Sequence, residues 1–193
     1  MTEDNATDTE AEDHGPTTFL TKYVWSQDHK VIAIQYGLTA IAIGLVALVL
    51  SWLMRMQLGF PGALEFVDQD AYYQYATMHG MIMVIYLLTA IFLGGFGNYL
   101  IPLMVGARDM VFPYLNMLSY WVYLIAVLVL VSSFFVPGGP TGAGWTLYPP
   151  QSILEGTPGY DWGIILMLTS LVIFIIAFTM GGLNYVTTIL QAR

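Results

Sequence analysis

A chain of 193 residues that is 57% apolar and only 9% charged cannot cover itself as a soluble domain does, where about a quarter of residues are charged. Its net charge of −8 does not describe a surface, because six of the thirteen acids fall within the first 13 residues. With no cysteine, a disulfide framework, a thiolate metal site and a thioether-linked haem are all excluded.

The chain opens on "MTEDNATDTEAED", polar and without large apolar groups. Residues 1–21 therefore read as a disordered acidic tail, without the basic start and apolar middle of a cleavable signal peptide. Residues 22–193 read as a membrane domain. Four segments reach the length that spans a bilayer, about 20 mostly apolar residues: Val31–Met54, Tyr72–Pro102, Tyr114–Val136 and Asp161–Leu190. None alternates as barrel strands do, so helices must satisfy the backbone. The predicted fold is an all-α integral membrane protein with four transmembrane helices.

The few cations orient it. Lys22 and Lys30 precede the first span, Arg108 lies between the second and third, and Arg193 follows the fourth. Four crossings place these on one side, while the connections Gln57–Ala71 and Pro137–Tyr160 hold no Lys or Arg. Both termini are therefore expected in the cytoplasm. Trp25, Trp52, Trp121, Trp145 and Trp162 fall near span ends, as interfacial anchors do. The "GGFG" run lies inside an apolar span and is no dinucleotide fingerprint. No basic patch suggests nucleic acid.

Three groups of residues have chemistry to offer. His79 lies inside the second span, roughly 10 Å below its outer end at the helical rise. There it either hydrogen-bonds a neighbouring helix or coordinates haem iron through a neutral imidazole. Ala76 and Gly80 are small enough beside it to admit a flat macrocycle. His14 and His29 read as solvated. Arg55, at the outer end of the first span, either snorkels to the interface or donates to a cofactor's oxygens. At the opposite end Asn98, about 28 Å beyond His79 along a continuous α-helix, joins Asp109, Asn116 and Asn184. These form the mouth of a hydrated proton path, or else Asp109 caps a helix and the amides bond backbone. Met78, Met81 and Met83 read as packing.

In their order, "DHKVIAIQYG", "LMRMQLGFPG", "MHGMIMV", "GGFGNYLIPLMVGARDMVFPYLNMLSYW", "GAGWTLYPP" and "LNYVTTIL" resemble subunit I of the haem–copper terminal oxidases. The resemblance runs from about Asp28 to Arg193. It implies the first third of a roughly twelve-helix fold, in a respiratory oxidase that reduces oxygen to water with electrons from cytochrome c or quinol and translocates protons. It implies that His79 is an axial ligand of the low-spin haem, that Arg55 contacts that haem's periphery, and that Trp145 lies near the propionates of the second haem. It implies that Asp109 opens the main proton-uptake path, with Asn98, Asn116, Asn184 and Tyr36 lining its lower part. A high-spin haem and copper in the complete subunit, subunits II and III as partners, surrounding lipid and a bacterial inner membrane follow from the same resemblance.

The sequence departs from the family at several points. Gln57 stands where many members have a cation-binding carboxylate, so no such site is expected. Ala177 and Phe178 replace serines, leaving Thr179 as the one hydroxyl in "FIIAFTMGGLN". Arg108 precedes Asp109 where proline is common, and is expected to favour its ionised form. The remaining haem and copper ligands of the family lie further on, so the 193-residue chain reads as truncated and inactive alone. Two other readings stand beside the oxidase: a non-catalytic four-helix membrane protein, and a subunit like that of the nitric oxide reductases.

Overall fold

The computed structural model describes residues 18–192. The tail reading for residues 1–17, and with it His14, lies outside the described residues, as does Arg193. Among the described residues every regular element is helical. Four helices carry the fold: α1 (His29–Gly59), α2 (Gln69–Val105), α3 (Pro113–Phe135) and α4 (Trp162–Gln191), each long and apolar enough to cross a membrane. They alternate in direction. The turn 106–112 and the start of α1 share one end, here the lower; the connections 60–68 and 136–161 share the upper.

α1 and α2 outrun their predicted spans at both ends, while α3 and α4 match theirs in length and are shifted by one residue. α1 begins two residues early because the Asp28 carboxylate caps it, accepting from the Lys30 amide at 2.8 Å. It continues past Arg55 to Gly59, so Arg55 sits within the helix rather than at its end. α2 starts at the Asp68 cap, whose carboxylate accepts from the Ala71 amide at 2.8 Å, and stops at Gly106, which supplies the left-handed φ of 77°.

α2 is not one continuous α-helix. Residues Ile82–Gly97 wind as a π-helix, in which each hydrogen bond spans five residues rather than four. More residues are used per turn, so Asn98 lies closer to His79 than the α-helical rise of 1.5 Å per residue implies.

α1 packs along α2, and α3 along α4, with α1 meeting α3 across the middle. The buried seam contains Ile32, Tyr36, Ile43, Tyr86, Tyr123 and Met167. Met78 and Met81 are buried in it and Met83 packs against it, as expected of adaptable thioethers. Outward faces carry Leu38, Leu48, Leu88, Leu128 and Ile176 to the surface, the inverse of a soluble bundle and the pattern lipid requires.

Candidate functional site

At the upper end, His79 is half-buried and its Nδ1 lies 2.9 Å from the Ala47 carbonyl on α1. A carbonyl only accepts, so Nδ1 carries the proton and donates. In the neutral ring that leaves the lone pair on Nε2. Nε2 has no partner among the described residues and is not sealed in the core. The hydrogen bond to the next helix is present, and it leaves Nε2 unengaged among the described residues.

The connection above it is tied down on α2. Thr77 accepts the Gly144 amide at 2.9 Å, and Gln74 donates to the Gly138 carbonyl at 2.6 Å. These bonds lay Trp145 against Gly80, where an added Cβ would stand 2.7 Å from the indole Cδ1. Gly80 was expected to leave room for a macrocycle; the indole takes that space instead, and Ala76 remains the exposed small neighbour. Arg55 is exposed, makes no ion pair among the described residues, and lies eight residues beyond Ala47, about 12 Å further up α1.

At the lower end, the expectation for His29 fails. It is 3% exposed, and its Nδ1 lies 3.1 Å from Asp109 Oδ1. Its Nε2 is buried without a partner among the described residues. One signal for this contact was present: the Asp28 cap opens α1 at the same membrane end as the Asp109 turn. The same carboxylate oxygen accepts the Met110 amide at 2.7 Å. Asp109 does not cap a helix, since α3 opens at Phe112–Pro113 without a side-chain cap. Arg108 is exposed and makes no ion pair with Asp109 within 4 Å, so the side chain that meets the Asp109 carboxylate is His29.

The three amides differ. Asn184 closes a two-way clamp on one residue, accepting the Phe112 amide at 3.0 Å and donating to the Phe112 carbonyl at 3.1 Å. Asn98 donates to the Gly94 carbonyl at 2.7 Å, while its Oδ1 has no partner. Asn116 is fully buried with neither amide atom bonded among the described residues. The backbone-bonding reading holds for Asn184, half holds for Asn98 and fails for Asn116. A buried amide costs free energy unless something bonds it, and water is the general remedy.

Tyr36 is buried, with its hydroxyl 3.0 Å from Ser119 Oγ, which donates to the Asn116 carbonyl at 2.6 Å. Ser119 was not anticipated, although it follows Asn116 by three residues and shares its helix face. Thr179 does not line this interior: it is exposed and donates to the Ile175 carbonyl at 2.8 Å.

Residues 31–193 match the family profile described as cytochrome c and quinol oxidase polypeptide I. The chain belongs to that family. It is 80% identical over 178 residues to the alternative cytochrome c oxidase subunit 1 of Bradyrhizobium diazoefficiens, covering 92% of this chain and 30% of that protein. It is 41% identical over 171 residues to cytochrome c oxidase subunit 1 of Synechocystis, covering 89% and 30% respectively. With heme-copper oxidase subunit I+III of Aeropyrum pernix it shares 40% identity over 179 residues, 93% of this chain and 22% of that one. The chain thus spans less than a third of the length of each of these relatives.

Proposed function

We propose that this chain supplies two parts of an oxygen-reducing respiratory oxidase: one axial ligand of the low-spin haem and the entrance for protons. The observation that carries this is the His79 ring, tied by Nδ1 to the Ala47 carbonyl with Nε2 left to ligate. Metal-ligating histidines characteristically donate their other N–H to a carbonyl or carboxylate, which fixes ring orientation and raises basicity. The residues present therefore fit a haem, with His79 to hold the iron and Arg55 to meet its periphery, while Trp145 would lie near the propionates of the second haem. The bound haem supplies one-electron chemistry, and a second haem and copper in the complete subunit complete the oxygen-reducing centre.

The proton entrance is Asp109. The His29 imidazole orients its carboxylate from the buried side, while the rest of the side chain, 37% exposed, faces the lower surface. Above it Asn116 and the free Oδ1 of Asn98 offer water unmet donors and acceptors inside the bundle. Tyr36 and Ser119 continue the polar line upward, and Asn184 holds the turn that shapes the mouth. Lys22, Lys30 and Arg108 share this lower end, which supports a cytoplasmic mouth by the positive-inside tendency and goes with the reading of a bacterial inner membrane. The name of the 80% relative favours cytochrome c over quinol as donor, and subunits II and III complete the assembly.

The test is His79→Ala in the assembled oxidase. Loss of the low-spin haem band with the second haem's band retained is expected. An unchanged low-spin spectrum would return His79 to a packing role.

A further inference from the structure

The segment before α1 does not leave the bundle for water. Its single π-helical turn, Leu20–Val24, is tied to the flank of α1 by Gln35, whose Nε2 donates to the carbonyls of Tyr23 and Val24 at 2.7 and 3.0 Å. Gln35 lies about 9 Å above the lower end of α1 at the helical rise. Trp25 stacks on Trp121 of α3 with ring centroids 4.5 Å apart. The segment therefore runs along the lower part of the α1–α3 face, with Phe19, Leu20 and Tyr23 exposed. Exposed aromatic and aliphatic groups at that height belong to the headgroup boundary of a bilayer.

Between this segment and the start of α1 lies a cavity of about 580 Å³, lined by Lys22, Trp25, Ser26, Gln27, Asp28 and Val31. Its charged groups are one of each sign. Lys22 Nζ lies 5.2 Å from the centre of the Tyr23 ring. Asp28 Oδ1 accepts the Lys30 amide as the cap of α1, yet the side chain is 54% exposed. Higher on the same face a groove of about 430 Å³ runs between α1 and α3, with Leu38, Ala42, Val46, Leu124 and Leu128 among its walls. Leu38 stands two turns above Val31 on one stripe of α1, and Leu124 and Leu128 continue the stripe of Trp121 on α3. The polar cavity and the apolar groove are thus stacked along one face, about 10 Å apart.

That stacking selects an occupant. A soluble anion would meet Lys22 but be repelled by Asp28, and would leave the groove empty. An apolar helix would fill the groove and offer nothing to either charge. We propose that this face binds one ethanolamine phospholipid of the lower leaflet. Its phosphate meets Lys22, its primary ammonium donates to the Asp28 carboxylate, and an acyl chain lies along the groove. A choline headgroup carries the same charges, but its quaternary nitrogen has no N–H to give. A glycerol headgroup has no cation for Asp28 at all. Neither His79 nor Asp109 takes part.

The experiment holds the assembled oxidase in vesicles of equal parts ethanolamine, choline and glycerol phospholipids with identical acyl chains. After detergent washing, retained lipids are counted by native mass spectrometry. The wild type is expected to keep one ethanolamine lipid with about tenfold preference, in keeping with one charge-assisted hydrogen bond. Lys22→Gln and Asp28→Asn are each expected to lower that retention about tenfold, with haem spectra unchanged. Asn caps a helix about as well as Asp, so Asp28→Asn removes the charge and leaves the start of α1 intact. Ala42→Trp, at an exposed position in the groove, is expected to displace the acyl chain and release the lipid with both charges in place. Equal retention of the three lipids by the wild type would overturn the proposal without any variant. So would ethanolamine retention unchanged in either charge variant. A preference for the glycerol lipid would mean an anionic headgroup on Lys22 alone, and would overturn it too.

Discussion

The two ends of this bundle treat polar groups in opposite ways. Around His79 almost every polar atom is committed: Nδ1 to Ala47, Thr77 to Gly144, Gln74 to Gly138, each between side chain and backbone of different elements. Around Asp109 several are not, with Asn116, the Asn98 carbonyl oxygen and His29 Nε2 buried and unbonded among the described residues. A metal ligand works by being held in one orientation, so a fully committed shell suits it. A proton path works through groups that exchange partners, and uncommitted amides suit that. The contrast makes rigidity above and hydration below the working distinction.

The largest effect that would break this contrast is on Asp109. Asp109→Asn retains size, and its side-chain oxygen still accepts the Met110 amide, but it cannot pass a proton through a charged form. Turnover of the assembled oxidase is expected to fall on the order of a hundredfold, with haem spectra unchanged. Turnover near wild type would make the carboxylate a tie for the turn and nothing more.

Asn184 and Asn116 sharpen the lower half of the comparison. Removing the Asn184 clamp strands the amide of Phe112, while its carbonyl keeps the Asn116 amide at 3.1 Å. Asn184→Ala is therefore expected to lower stability by about 1–3 kcal/mol, the usual cost of orphaned buried groups, read as a fall in the thermal midpoint of haem loss. Asn116→Ala strands nothing on the protein and is expected to change turnover more than stability. Equal losses of stability in both would show that Asn116 is bonded as tightly as Asn184.

Much of this was legible in sequence because membranes impose long uniform signals. Four apolar runs gave four helices, and the histidine expected inside a span lies in α2 with Nδ1 bonded to α1. The His29–Asp109 pair was hidden because its members lie 80 residues apart and only packing brings them together. The separate duties of Asn116 and Asn184 depend on which way each amide faces, which composition does not encode. The outward turn of Thr179 is a simple matter of phase. It lies roughly 200° around α4 from the buried Ala177, so a segment that contains both cannot present both inward. The π-helical stretch of α2 had no sequence signal beyond its glycines.

Those glycines offer a smaller test that spans both ends. A Cβ at Gly94 would enter the ring of Tyr36, and one at Gly80 would press on Trp145. Overpacking costs about 1–3 kcal/mol, and the upper part of that range is expected for Gly94→Ala, because Tyr36 is 2% exposed and bonded to Ser119. Trp145 is 43% exposed and can tilt outward, so Gly80→Ala is expected to cost less. Thermal midpoints of the two variants decide it, and a larger loss at Gly80 would mean the upper loop is the more rigid partner.

The smallest expected effect is none, and it tests the helix phase on which the interior is drawn. Thr179 is the one hydroxyl in the stretch of α4 where the family's serines are replaced by Ala177 and Phe178. The structure turns it outward, with its proton given to the Ile175 carbonyl one turn earlier on the same helix. That carbonyl lies on a lipid-facing strip with Ile176 and Leu183, all three residues being exposed. Thr179→Val keeps the branched shape and removes only this local bond, whose loss in a helix is small because the bond competes with the helix's own ladder. Stability is expected to move by less than about 0.5 kcal/mol, as for surface substitutions away from special features, and turnover to match wild type. A proton-limited slowing in Thr179→Val, with spectra intact, would mean that α4 presents this face inward in the assembled oxidase. Phe178 would then rotate away from its contacts with Tyr36 and Tyr123.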